Sequence, residues 1–456
     1  GRIVGGTASP FHEPQRNDIA QNSWGIDACS HPAEVRAALA AEHEDRRLRE
    51  GRRLDGCPFA SELFVTPCAD CAGVEWEAEE AIDASGACAA AIREYCEHPT
   101  LADQDPACAD WYELTSTCEY NGLFNFELRL MRDSVESGRG GKGTIFVFAS
   151  GNEASAGART NNEGWLHVPY TITVGAVRHD GKKASYSTEG AALTVSAPGA
   201  DFWDEMHGLP TMVTTAAGGG CTNAGVGTSF SAPLVSGVVA LMLEANGALG
   251  WRDVQHILAR SSARTDAASA TWGVNGGGVW HSDKYGWGVV DASAAVGAAQ
   301  CWVNAGARVR IERSAAPRVA IPDGGAAALT SSVSVTEAEY ASAAPYASME
   351  HVVALVSLSH ARVGDLRVRL THAPLDGSAS VTSDLAMPRP EEGSRSASES
   401  GAAWKFMTLK HWGADPRGEW TLSVHDTVGN AAAGELVEWT LILHGAATDP
   451  GQEAGC

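Results

Sequence analysis

The chain is short of positive charge: 33 Lys and Arg stand against 56 Asp and Glu, for a formal net charge of −23. A surface of that sign repels nucleic acid and anionic membranes, so neither is expected as a partner. A cationic substrate would suit it, although an acidic surface also serves solubility alone. No stretch of about 18 apolar residues is evident, so no membrane-spanning segment is expected. The chain starts at Gly1 and shows no signal-peptide apolar core, so a processed form or a fragment is expected. Cys68-Ala69-Asp70-Cys71 has no second CxxC to complete a zinc site. Gly138-Arg139-Gly140-Gly141-Lys142-Gly143 lacks the Lys-Ser/Thr pair of a P-loop and runs into an apolar strand, not a helix.

What is present reads as a soluble globular protein. Its 456 residues, 44% hydrophobic and 20% charged, suffice for two or three domains with sizeable cores. Of the 11 cysteines, those at 29, 57, 68, 71, 88, 96, 108 and 118 crowd into one acid-rich, Ala-rich region. Their even number favours a disulfide-stapled insertion over residues 28–119, in an oxidising compartment. The charge run Glu42-His43-Glu44-Asp45-Arg46-Arg47 is most simply a solvated helix face.

Outside that insertion the first 300 residues alternate strand-like and helix-like patterns. A short strand running into a Gly turn is expected over 18–25, an amphipathic helix over 123–135, and an almost continuously apolar buried strand over 144–149. Further strands are expected over 170–177 and 193–197, and helices over 234–245 and 251–261. Such alternation implies an α/β layered domain whose ligands bind at the strand C-terminal ends. From 308 to 446 helical periodicity nearly vanishes. Short apolar runs at 352–358, 366–370, 420–424 and 439–443, separated by turn residues, suggest an antiparallel β-sandwich or jelly roll.

Two elements of acyl-transfer chemistry stand out. Gly227-Thr228-Ser229-Phe230-Ser231-Ala232-Pro233 places a serine between a Gly-rich run and an apolar helix, where backbone and ligand can approach closely and a helix N-terminus offers free N–H groups. Ser229 there is either a nucleophile or a plain N-cap. Asn152 ends the strand over 144–149 and could supply a hydrogen bond to a developing oxyanion, a donor that can be worth roughly 3–4 kcal/mol in the transition state. Taken alone, such an Asn is more often a turn residue.

These segments, together with Asn22-Ser23-Trp24-Gly25 and Trp251-Arg252-Asp253-Val254-Gln255-His256, resemble the kexin/furin branch of the subtilisin-like serine proteases. The β-rich part is similar to that branch's P domain, through Gly364-Asp365-Leu366, Trp404-Lys405-Phe406-Met407-Thr408 and Asp415-Pro416-Arg417-Gly418-Glu419-Trp420. The resemblance implies a subtilisin-like parallel sheet flanked by helices over 1–300, interrupted by the insertion, then an all-β jelly-roll P domain over 308–446. It implies a secreted or lumenal endopeptidase acting on proteins or peptides. Ser229 would attack the scissile carbonyl and Asn152 would hold the oxyanion. Ser23, Trp24 and Gly25 would line the substrate strand and its pocket. Glu163, eleven residues after Asn152, falls where the family has the pocket acid for a basic side chain; the alternative is a solvated loop acid.

The departures from the family are equally specific. Its catalytic Asp and His precede the Asn-Ser-Trp-Gly strand, where this chain offers only His12, without the family's H-G-T context. Neither residue can be assigned, and His31 and His167 stand in the wrong places and read as surface or loop residues. Arg2-Ile3-Val4-Gly5-Gly6 looks like a trypsin-type N-terminus, but the G-D-S-G-G motif of that family is lacking. A truncated N-terminus is the favoured expectation, since Cys221 resembles a family cysteine paired upstream; a catalytically inactive pseudoprotease acting as a secreted binding protein is the alternative. Calcium is the family's structural ion. Asp27 and Glu189 fall near two positions of one family site, with Ala158 in place of the third acid, and no metal-ligand residue is assigned.

Overall fold

Short runs of consecutive apolar residues build the central sheet. The computed structural model describes residues 3–5, 18–22, 125–216, 218–325, 327–342, 346–389 and 404–452; the Cys-rich insertion, Asp27, His12, His31, Ser23, Trp24 and Gly25 lie outside them. Strands β1 (Ile3–Gly5), β2 (Ile19–Asn22), β3 (Ile145–Ala149), β4 (Thr171–Val177) and β5 (Val195–Pro198) pair in that order, all parallel. β4 is buried along its whole length, as a parallel strand covered on both faces must be. Ile3–Gly5, the core of the trypsin-like pentapeptide, is simply the edge strand, with Ile3 opposite Ile19.

Helix α1 (Asn125–Gly141) precedes β3, and its last turn breaks at Gly138, Arg139 and Gly140, where the expected turn lies. A hairpin of β6 (Met212–Thr215) and β7 (Cys221–Gly225) leads into α2 (Thr228–Ala245). α2 packs on β2 to β5 through Ala232, Val235, Val239 and Met242, spaced at three or four residues as one helix face requires. It is long and apolar enough to cross a membrane by length and composition, with mean hydropathy 1.4, a run that escaped the sequence reading; half of it is buried inside the fold. Helices α3 (Trp251–Ser261) and α4 (Ala292–Gln300) follow, the first with the expected bounds.

Among the described residues the remainder is all-β apart from a short helix, Glu337–Ser342, and a 3-10 turn, Val363–Asp365. One antiparallel sheet runs Arg308–Ala315, Gly434–Ala446, Ser348–His360, Trp404–Thr408, with Val319–Ile321 also pairing to Gly434–Ala446. The other runs Leu329–Val335, Gly418–Asp426, Leu366–Pro374, Val381–Ala386. Burial alternates along Leu366–Pro374 and Gly418–Asp426, because successive side chains point to opposite faces. Trp420, Trp439, Leu422 and Leu441 fill the interior, giving the expected sandwich.

No solvent layer divides the two parts. One apolar core runs from Ile145, Val174 and Val239 through Ile257, Trp287 and Trp302 to Val353, Met407, Trp412 and Ile442. A polar knot crosses the seam within it. Arg252 of α3 donates from Nε and Nη2 to the buried Glu350 carboxylate at 2.6–3.0 Å. Trp412 Nε1 can only donate, and does so to His256 Nδ1 at 3.1 Å. The His256 proton therefore sits on Nε2, which donates to Glu350 Oε1 at 2.9 Å. Gln255 Nε2 donates to Pro169 O, leaving its Oε1 to accept from His351 Nε2 at 2.8 Å. Burial alone would push the Glu350 carboxyl up, but His256 and Arg252 outweigh it and hold it far below the usual range.

Candidate active site

The N-terminus of α2 is where the candidate nucleophile falls, and its geometry differs from a plain cap. The helix begins six residues before the apolar run that marks it in the sequence, at Thr228. Gly227 is its N-cap and Ser229 its second residue, so Ser229 is not the capping side chain. Gly227 adopts φ +134°, a conformation that side-chain-bearing residues avoid. A Cβ there would meet nothing nearer than 3.8 Å, so backbone conformation rather than crowding requires the glycine.

Three groups fix this entry, the Gly227 N–H and the hydroxyls of Tyr186 and Ser231. Gly227 N–H donates to Gly199 O at 3.0 Å and to Tyr186 Oη at 2.9 Å. The Tyr186 hydroxyl in turn faces Gly199 O at 2.7 Å and Ala200 O at 2.9 Å. Burial pushes this phenol well above its ordinary value, so it keeps its proton and remains a donor. Ser231 Oγ lies 3.2 Å from Ala197 O and 3.1 Å from Pro198 O, which pins the first turn of α2 to the end of β5. The second serine of the Gly-Thr-Ser-Phe-Ser segment is thus an anchor to the sheet.

Asn152 arrives at the same place from β3. Its Oδ1 accepts from Thr228 N–H at 3.0 Å and from the Thr228 hydroxyl at 2.9 Å. With the oxygen engaged twice, the side-chain amide hydrogens on Nδ2 point away from Thr228. Asn152 is exposed and Ser229 half-buried, so both lie within reach of a ligand. The structure therefore brings Asn152 and the Ser229 helix together at the C-terminal ends of the parallel strands, where an α/β sheet holds its ligands.

Glu163 follows a 3-10 turn, Thr160–Asn162, and is half-buried in extended backbone. The turn before it is tied to the β-sandwich. Asn161 Oδ1 accepts from Met407 N–H at 3.0 Å, its Nδ2 donates to Met407 O and Leu385 O, and Trp404 Nε1 donates to Asn161 O at 3.2 Å. Trp165 stacks on Phe148 of β3 with ring centroids 5.5 Å apart. His167, expected as a surface or loop residue, lies in a loop but is 3% exposed and packs 5.4 Å from the Trp404 ring. Burial, then the charge of Lys405, pulls its pKa down to about 3.

Tyr186 and Asn161 escape the sequence reading. Thr228 and Ser231 carried a signal there, as fixed positions of the Gly-Thr-Ser-Phe-Ser segment, but were given no role. Cys301 is disulfide-bonded, whereas Cys221 in β7 is a free, exposed thiol.

Among the described residues, a five-stranded parallel sheet with an Asn just past β3 that is hydrogen-bonded to a Gly-Thr-Ser helix start anchored at the end of β5 is the arrangement of the subtilases. Residues 120–288 match the subtilase family and residues 349–443 the proprotein convertase P-domain. The chain is 35% identical over 321 residues to proprotein convertase subtilisin/kexin type 6 of Rattus norvegicus, and 35% identical over 323 residues to endoprotease bli-4 of Caenorhabditis elegans. It is 33% identical over 328 residues to furin of Rattus norvegicus. These matches take in 69%, 70% and 71% of this chain but only 33%, 33% and 39% of the relatives, so it spans a third to two fifths of their length. Among solved structures, the serine protease of Aeromonas sobria matches with TM-score 0.59 and 22% identity, over 72% of this chain and 69% of that one, which shows the shared fold. The chain belongs to the subtilase family, in its kexin/furin-like branch with a P domain.

Proposed function

We propose that this chain is the Ser229- and P-domain-bearing part, with boundaries near 1–300 and 308–446, of a kexin/furin-type serine endopeptidase that processes proteins after basic residues. In this reading the Ser229 hydroxyl attacks the scissile carbonyl carbon. The carbonyl oxygen takes up negative charge and receives hydrogen bonds from Asn152 Nδ2 and from the Ser229 N–H at the start of α2. The serine proton passes to a general base and on to the leaving amine, and water then hydrolyses the acyl-enzyme. Ser23, Trp24 and Gly25 follow β2 in sequence and would hold the substrate backbone, and Glu163 would pair with the basic side chain. The bonded Cys301 and the parentage of the fold support a secretory or extracellular setting.

The observation that supports this reading is the double hydrogen bond from Thr228 to Asn152, which engages the Asn152 oxygen at the start of the helix that carries Ser229 and leaves Nδ2 as the donor. The test is labelling by a fluorophosphonate probe of the chain expressed with its upstream coding sequence. Labelling that disappears in Ser229→Ala supports the nucleophile. Absence of labelling in a folded protein, with no D-x-G and H-G-T motifs upstream, would leave the inactive binding protein as the better account. Cleavage of a peptide library with no preference for Arg or Lys before the scissile bond would remove the role given to Glu163.

A further inference from the structure

At the calcium site of this family, where Asp27 lies outside the described residues, the described donors and the expected ion disagree. A calcium ion takes six to eight oxygen ligands, several of them anionic. Position 158 is Ala and brings none, and the group facing Glu189 is a cation. Arg159 Nη1 donates to Glu189 Oε1 at 2.9 Å, and Lys183 Nζ lies 3.8 Å from Glu189 Oε2. The same Nζ donates to Ser187 O at 2.8 Å and to Ala184 O at 3.2 Å. Carbonyl and carboxylate oxygens of the kind that would bind a metal converge here on an ammonium. The Arg159 and Lys183 side chains are 19% and 13% exposed, so their charges are only partly screened by water. A divalent cation beside them would meet like charge on two sides.

The surrounding backbone is fastened in the same direction. Thr160 N–H donates to Glu189 O at 3.1 Å, and Arg159 N–H to Asn162 Oδ1 at 2.7 Å. Gly190, at φ +156°, passes so close to this turn that a Cβ would lie 2.3 Å from Thr160 Oγ1. The segment from 158 to 163 therefore rests on Glu189 and Gly190 through charge, backbone hydrogen bonding and close contact together.

We propose that Arg159 and Lys183 are built-in counter-ions that replace calcium at this place, holding the loop that carries Glu163 against Glu189 without a metal. This goes beyond the protease reading and stands whether or not Glu163 selects a basic side chain.

Thermal unfolding of the full chain, in EGTA and in millimolar calcium chloride, tests it. The quantity read is the change that Glu189→Gln makes in the midpoint under each condition, so calcium bound elsewhere cancels. An equal downward shift in both conditions is expected. A shift confined to calcium chloride, or clearly larger there, would overturn the proposal, because it would mean that Glu189 binds the ion. Should that variant fail to fold, Arg159→Gln serves: a lowered midpoint in EGTA is expected, and an unchanged one overturns the proposal.

Discussion

Asn152 and Thr228 are joined twice, the Asn152 Oδ1 accepting the Thr228 N–H at 3.0 Å and the Thr228 hydroxyl at 2.9 Å. The backbone bond survives any substitution of Thr228 except proline, whereas the hydroxyl bond is lost in any residue without a hydroxyl. Thr228→Val keeps the side-chain volume and removes one hydrogen bond of roughly 1 kcal/mol, so fluorophosphonate labelling is expected to slow about five- to tenfold. Asn152→Ala removes the donor itself and should slow it by about 100- to 1,000-fold. Equal rates for wild type and Asn152→Ala would contradict the oxyanion role.

Among the described residues, six histidines are held neutral inside the fold. Burial is the leading cause for each, pulling His167 and His444 down to about 3, His281 and His372 to about 4, and His351 and His411 well below their ordinary value. Unfolded, each titrates near about 6.5. A base whose folded pKa is depressed contributes stability that is intact above the unfolded value and is lost as pH falls below it. The loss is about 1.4 kcal/mol per group per pH unit, and six groups together approach the ~5–15 kcal/mol of a typical domain. Cooperative acid unfolding between about pH 6 and 4.5 is expected, read by tryptophan fluorescence. A protein whose denaturant midpoint stays constant from neutral pH down to pH ~4 would refute it.

The Glu350 carboxylate holds Arg252 and His256 across the seam, at 2.6 and 2.9 Å. Removing one partner of a buried pair leaves the other charge stranded, at a cost of about 3–5 kcal/mol. Glu350→Ala should lower the unfolding free energy by that amount, read from the shifted denaturant midpoint and its slope. Because Trp287 and Trp412 share one core, with ring centroids 4.9 Å apart, the loss should appear as one transition moved as a whole. Two separate transitions, with only the later one shifted, would contradict a common core.

Asn161→Ala removes hydrogen bonds to Met407 and Leu385 that are made in a nearly dry setting, Asn161 being 2% exposed. The stranded Met407 N–H should cost about 1–3 kcal/mol. Hydrogen exchange should speed up locally, in 158–166 and in the strand Trp404–Thr408, while β4 keeps its protection. Uniform acceleration across the catalytic sheet would instead indicate general destabilisation.

Much of this was legible in the sequence because the pattern is local. The apolar run ending at Ala149 and the helix Trp251–Ser261 announce themselves by periodicity, and the alternation in 366–370 and 420–424 marks sandwich strands. The start of α2 was legible at Ser229, one residue late, but the apolar periodicity begins only at Leu234, because the first turns hold Ser and Thr, which favour caps and turns, and Pro233, which opposes a helix interior; contact with the sheet overrides both. The loop placement of His167 was legible but its burial was not, because its surroundings come from Trp404 and Lys405, more than two hundred residues away. The same distance hid the pairing of Asn161 with Met407. Arg159 and Glu189 gave no sign of each other, since a salt bridge has no sequence spacing of its own.

The continuous core carries a consequence for how the molecule is made. Ile145 and Val239 lie in the same apolar cluster as Val353, Met407 and Ile442. On a ribosome those later residues emerge last, so the parallel sheet must wait, incompletely covered, until synthesis has passed Ile442. Folding of the catalytic part is therefore expected to finish only after the sandwich is synthesised, and a nascent chain halted before the strand Gly434–Ala446 should remain protease-sensitive throughout, however much of the earlier sequence has already appeared.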